Sequence, residues 1–172
     1  MTSGIDGTKS SPTETVAFEM HDHAGCIASA LAAAEGQCAS DGLRFTPVRR
    51  KALEVLLQEH RAIGAYEMLD RLRDEGFGSQ PPVAYRALEF LVAHGFAHKI
   101  ERLNAFIACS HPGAVHSPAF MICRVCQAVA EAQSAPSRGA LGDAARAAGF
   151  QIERTVVEAE GLCPTCAEKG AA

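Results

Sequence analysis

The sequence predicts an α+β chain of two units: an N-terminal winged helix-turn-helix, then a small C-terminal α/β unit held by four cysteines. Three observations carry that expectation. Helix-period segments with the start signals Thr46-Pro47 and Pro81-Pro82 occupy the chain up to Gly95. Two short alternating runs follow on either side of Asn104. Then come Cys123-Arg-Val-Cys126 and Cys163-Pro-Thr-Cys166, with residues 127–162 between them.

Composition narrows the class. A length of 172 residues suits one large domain or two small ones. Hydrophobic and charged contents of 48% and 21% are ordinary for a soluble globular protein. No run of apolar residues reaches the length of a membrane span, so no membrane partner is expected. Met1–Glu19 lacks the basic start and apolar core of a signal peptide. Seven cysteines then read as metal chemistry in the cytoplasm rather than secreted disulfides. The net charge of −4 divides unevenly: −4 in residues 1–40, +1 in 41–100 and −1 in 101–172. The acidic weight sits in the arm, so a nucleic-acid partner for the middle segment is permitted without being demanded.

Residues 1–23, rich in Ser, Thr, Gly and Glu, read as a disordered arm. His21, His23 and Cys26 at its end are either a metal-capturing cluster or unrelated surface groups. The winged-helix unit is expected over 24–110. Its first helix covers the Ala-rich stretch Ile27–Cys38 and ends around Asp41-Gly42. Thr46 at the N-cap and Pro47 at the first helical position start the second, whose Val48, Ala52, Val55 and Leu56 recur at helical spacing. A third helix runs from about Ala65 to Glu75, with Leu69 and Leu72 inward and Gly76 as its stop. The fourth starts at Pro81-Pro82 and halts at Gly95. Phe96–Leu103 and Ala105–Ser110 alternate as a hairpin.

Helices followed by a hairpin make a winged helix-turn-helix. In such a unit the helix before the wing enters the major groove of double-stranded DNA with its N-terminal residues nearest the bases. Tyr85 and Arg86 sit in the first turns of that helix. Arg86 could fork to guanine or clamp a phosphate, and Tyr85 could touch a thymine methyl or a phosphate. The bland alternative is a solvated Arg beside a half-buried Tyr.

Residues 111–119, with two Pro and one Gly, read as a hinge, and 120–168 as the cysteine-stapled unit. Phe120–Cys123 and Ala128–Ala132 are expected strands, Ser137–Ala148 a helix, and Phe150–Ala159 a strand whose edge is free to pair with a twin, giving a homodimer. Two C-x-x-C knuckles turn four sulfurs toward one point, the geometry of a closed structural zinc site at Cys123, Cys126, Cys163 and Cys166. Two disulfides or four free thiols are the alternatives. The few large apolar side chains between residues 127 and 149 favour a metal as the staple.

These segments together resemble the ferric uptake regulator family, and its zinc uptake regulator branch most. The resemblance is carried by Arg-Phe-Thr-Pro-Val-Arg (44–49), Ala-Tyr-Glu-Met-Leu-Asp (65–70), Pro-Pro-Val-Ala-Tyr-Arg-Ala-Leu-Glu-Phe-Leu (81–91), Gly-Phe-Ala-His-Lys-Ile-Glu (95–101) and the two knuckles. It implies a dimeric, metal-sensing DNA repressor with Tyr66, Tyr85 and Arg86 at DNA-contacting positions. It further implies a regulatory zinc site at His98, Cys109, His116 and Glu131, with His111 a rival for His116, and hence two Zn²⁺ per subunit. One thiolate, two imidazoles and a carboxylate suit Zn²⁺ and are softer than iron(II) would select. Iron-sensing relatives have a denser histidine run in the hinge and a His where this chain has Ala62. Separately, the Thr usual in this family before the Val-Tyr-Arg segment is Val83 here, so any cap or phosphate contact from that hydroxyl is missing. A sensor of iron, manganese or nickel is the alternative within the family. No H-E-x-x-H run supports a zinc hydrolase, so neither an enzyme nor a small-molecule substrate is expected.

Overall fold

Pro at the first helical positions and Gly past the last ones set the ends of most helices. The computed structural model describes residues 23–59, 61–114, 116–134 and 139–170. α1 spans His23–Ser40, starting earlier than the Ala-rich stretch alone suggests, and buries Leu31, Ala34 and Cys38 along one stripe. α2 is Pro47–Gln58, with Thr46 in the N-cap position as expected. The hydroxyl makes no capping bond, however, and Thr46 Oγ1 is buried without a partner among the described residues. The helix start therefore rests on the preset φ of Pro47 rather than on a side-chain cap. Ala52, Leu53, Val55 and Leu56 form its buried face, with Val48 partly buried beside them. α3 (Ala65–Asp74) inserts Met68, Leu69 and Leu72, and α4 (Pro81–Ala93) inserts Ala84, Ala87, Leu88, Phe90 and Leu91. Gly95 ends α4 at φ +74°, a conformation that residues with a Cβ adopt only at a cost.

A two-residue strand, β1 (Ile63–Gly64), precedes α3. β2 (Ala97–Ile100) and β3 (Ala105–Ala108) form the wing, both shorter than their alternating runs. Asn104 turns between them at φ 46°, in the left-handed region that Asn tolerates better than most residues. The three strands make an antiparallel sheet in the order β1-β3-β2.

The second sheet has the order β5-β4-β6, with β5 (Val129–Ser134) antiparallel and β6 (Val157–Gly161) parallel to the central β4 (Ser117–Cys123). β4 begins at Ser117, inside the stretch read as a hinge. α5 is Ala140–Ala147, shorter than expected, and Ser137 lies outside the described residues. The expected strand from Phe150 is corrected: residues 150–156 form no regular element, and pairing begins at Val157. A short α6, Pro164–Glu168, closes the chain. The fold is thus a winged helix followed by a small α/β unit. No helix among the described residues is long and apolar enough to cross a membrane.

Two apolar clusters matter for function. The larger fills the space between α1, α2, α3 and α4 and the hairpin, and Val83 packs against it. The smaller joins Ile100 and Ile107 of the wing to Phe120, Ile122 and Val129 of the second sheet. That seam sets the winged-helix unit against the C-terminal sheet, each buried side chain being worth about 1.5–3 kcal/mol.

Candidate metal centres and nucleic-acid interface

Strand alternation decides which side chains reach the seam. Residues opposite one another in neighbouring strands point to the same face. Phe120 lies opposite both Glu131 and Glu158, and Ile122 opposite Val129 and Glu160. Since Phe120 and Ile122 face the winged helix, so does Glu131. His98 on β2, Cys109 just past β3 and His116 just before β4 meet it there.

Their donor atoms lie within 4.8 Å of one another. His116 Nε2 is 2.8 Å from Glu131 Oε1, 3.3 Å from His98 Nε2 and 3.5 Å from Cys109 Sγ, and His98 Nε2 is 3.3 Å from Glu131 Oε1. A tetrahedral zinc, with bonds of about 2.0 Å to nitrogen and about 2.3 Å to sulfur, sets neighbouring donors about 3.3–3.7 Å apart. Three of the four separations fit that ion as they stand, and the fourth, His116 to Glu131, is at hydrogen-bond length, so the residues present suit zinc with a small opening of that pair. Outer contacts fix them: His116 Nδ1 lies 2.8 Å from the Ala114 carbonyl, which directs Nε2 to the centre, and the Ser110 N–H donates to Glu131 Oε2 at 2.8 Å. The His111 N–H approaches the Cys109 sulfur at 3.4 Å.

Electrostatics match the ligand chemistry. Burial pushes the Glu131 carboxyl up, but hydrogen bonds with His98, the Ser110 N–H and His116 outweigh it and hold it down at about 2. Glu131 is therefore ionised although only 8% exposed. Burial, and the nearby Glu131 charge, push the Cys109 thiol up to about 12. Cys109 thus carries a proton at neutral pH until a cation competes for its sulfur.

The second group is Cys123, Cys126, Cys163 and Cys166, again with all donors within 4.8 Å. Cys123 ends β4, and Cys163 occupies the N-cap position of α6, which carries Cys166. The Cys126 and Cys163 sulfurs stand 3.7 Å apart, a tetrahedral edge for zinc–sulfur bonds and far beyond a disulfide bond. The described cysteines are free thiols. The Cys126 and Cys163 N–H groups donate to Cys123, drawing its thiol down to about 6, so one thiolate is available near neutrality. Apart from the sulfurs, Ala128 is the apolar residue packed into this cluster. Among the described residues nothing else there replaces a core, which fits a metal as the staple.

α4 buries one stripe and leaves Tyr85 and Arg86 on the other, Tyr85 being 40% exposed. Tyr66, in the first turn of α3, is 69% exposed. Arg86 and Arg44 differ from the other cations of the winged helix. Arg50 pairs with Glu35, Lys51 with Glu75, Arg61 with Glu67, Arg71 with Glu59 and Arg73 with Asp70. Arg49 lies over the Phe90 ring, 3.7 Å from its centroid. Among the described residues, the Arg44 and Arg86 guanidiniums have no side-chain partner and are exposed.

No family model matches the chain. It is 38% identical over 139 residues to the zinc uptake regulation protein of Escherichia coli (strain K12), covering 80% of this chain and 81% of that protein. The chain belongs to the zinc uptake regulator branch of the ferric uptake regulator family. Among solved structures of that branch, a zinc uptake regulator complexed with zinc and DNA is similar at a TM-score of 0.79, with 37% identity. The match covers 85% of this chain and 98% of that one. The holo form of XcZur is similar at 0.72, with 41% identity over 81% of this chain and 98% of that one.

For this zinc uptake regulator homologue, all eight metal-site residues expected from sequence fall into two clusters of four. Between the rivals, His116 points into the hinge cluster, whereas His111 is exposed with its ring centroid 5.9 Å from that of His116. Of the His21, His23 and Cys26 group, His21 and the His23 side chain lie outside the described residues, and Cys26 is exposed. Sequence reasoning did not single out Arg44, whose guanidinium, like that of Arg86, has no side-chain partner among the described residues.

Proposed function

We propose that this protein is a zinc-responsive transcriptional repressor that binds operator DNA as a homodimer when its hinge site is filled. The convergence of His98, Cys109, His116 and Glu131 on the seam carries the reading, because one ion held there ties the DNA-binding unit to the C-terminal sheet. Cys123, Cys126, Cys163 and Cys166 would hold a second, structural zinc. Tyr66, Tyr85 and Arg86, with Arg44, would contact the DNA. Four protein ligands would complete a zinc ion's tetrahedron and would leave no open position for substrate or water, which supports a regulator over an enzyme. A soluble, cytoplasmic setting agrees with seven cysteines and no pairing among them.

A second copy of the chain would dock on the C-terminal unit. Of the ten exposed large hydrophobics among the described residues, seven lie at Met121 or beyond, including Phe150, Val156, Val157 and Leu162. β6 has a strand on one side only among the described residues.

The decisive experiment is operator binding titrated against buffered free zinc, with iron and manganese in parallel. Affinity should rise with zinc alone. Binding that follows iron or manganese, or that ignores all three metals, would overturn the reading.

A further inference from the structure

The alternation that aims Glu131 at the hinge also aims Glu158 and Glu160 of β6 at the winged helix, where they meet the wing turn. Glu158 Oε1 accepts the backbone N–H of Glu101 at 2.7 Å, and its Oε2 accepts that of Arg102 at 3.0 Å. Arg102 reaches Glu160 at 2.8 Å, and Arg154 reaches Glu101 at 3.3 Å. Three residues of β6 and its approach, Glu158, Glu160 and Arg154, thus hold the turn between β2 and β3, while the hinge donors gather beside the same two strands.

We propose that Glu158 is a positioning residue that clasps the wing turn to the C-terminal sheet and thereby favours zinc binding at the hinge. The inference rests on the reading of the hinge as a zinc site. A carboxylate that takes two adjacent backbone N–H groups fixes the turn in position and orientation, and such charge-assisted bonds are stronger than neutral ones. The flanking pairs matter less. Arg102 and Arg154 are 55% and 72% exposed, and ion pairs that open to water contribute little. The clasp and the four hinge donors are satisfied in the same arrangement of the two units. By linkage, whatever favours that arrangement favours the ion, and the ion favours the clasp in return.

Glu158→Gln tests this with little change of shape. Its amide nitrogen cannot accept the second N–H and sets a donor against a donor. Three quantities are measured on the full-length dimer: hinge zinc affinity against a competing chelator, hydrogen exchange of the Glu101 and Arg102 amides, and retention of the Cys₄ metal. The expected result is zinc affinity lower by roughly fivefold, as for loss of one exposed charge-assisted bond, with faster exchange at those two amides. The Cys₄ metal and the dimer should be retained, and Glu158→Asp should recover part of the affinity. Unchanged exchange would overturn the clasp. Faster exchange with unchanged zinc affinity would overturn its coupling to the hinge. A loss of affinity that comes with loss of the Cys₄ metal would reassign Glu158 to general folding and also overturn the proposal. A wild type that binds no hinge zinc would instead sink the regulatory reading, while the exchange data still decide the clasp.

Discussion

The two clusters use the same number of ligands in opposite ways. The Cys₄ group is two short knuckles whose buried sulfurs form a cluster of their own, separate from the apolar seam. The hinge group draws one ligand from each of β2, the end of β3, the approach to β4 and β5. Its donors include a buried carboxylate already ionised and a thiol still protonated. On the proposed reading, an ion in the first cluster would replace a missing core. In the second it would reward an arrangement that the seam and the wing already permit. The lesson is that coordination number does not separate a structural site from a responsive one. What separates them is whether the ligands depend on one folded unit or on the relation between two.

The largest expected effect breaks the first cluster. Cys163→Ser should remove one zinc per subunit and unfold or monomerise the C-terminal unit, since structural zinc supplies about 10–16 kcal/mol in small domains. Metal analysis with sedimentation decides it. A stable dimer still holding two zinc ions per subunit would contradict the structural role.

Cys109→Ser breaks the second cluster and should leave the first intact. A hydroxyl stays protonated and ligates zinc poorly, so the dimer should keep its Cys₄ metal and lose zinc-dependent operator binding. Coupling of about 1–3 kcal/mol per site corresponds to roughly 5–150-fold, and two sites per dimer compound it. Zinc-dependent repression that survives would move the sensing site elsewhere.

Arg86→Ala should touch neither metal. Operator affinity should fall by about 1–3 kcal/mol, with relaxed discrimination at one base pair if the guanidinium reads a base edge. A uniform loss across sequences would identify a phosphate contact, and no loss at all would displace α4 as the recognition helix.

The smallest effect sharpens the contrast through pH. Metal-free Cys109, held near 12, is protonated throughout the neutral range, so ligation by its thiolate releases a proton. Hinge affinity should therefore rise as pH rises, by about tenfold from pH 7 to 8, equivalent to about 1.4 kcal/mol. The Cys₄ metal should remain bound across that interval. A hinge affinity that stays flat between pH 7 and 8, read by chelator competition, would contradict ligation by a thiol that starts out protonated at Cys109.

Much of this protein is legible in its residues. Pro47, Pro81 and Gly95 fix helix ends because they act on their own torsion angles. Core faces of α2, α3 and α4 follow from a period that needs no partner to exist. The Cys₄ ligands are legible because each knuckle is a local turn. Tertiary structure alone decided the rest. Residues 150–156 alternate like a strand, yet only 157–161 pair, because β4 offers one free edge and the chain reaches it at Val157. β1 is two residues long and exists through its pairing with β3. His111 is nearer Cys109 in sequence, but His116 is turned inward by its bond to Ala114 and by the strand that follows it. The freedom of Arg44 and Arg86 is likewise invisible in sequence, since it depends on which carboxylates the fold brings to the other cations. Torsions and periods are written residue by residue, whereas edges, seams and ion pairs exist only once distant segments meet.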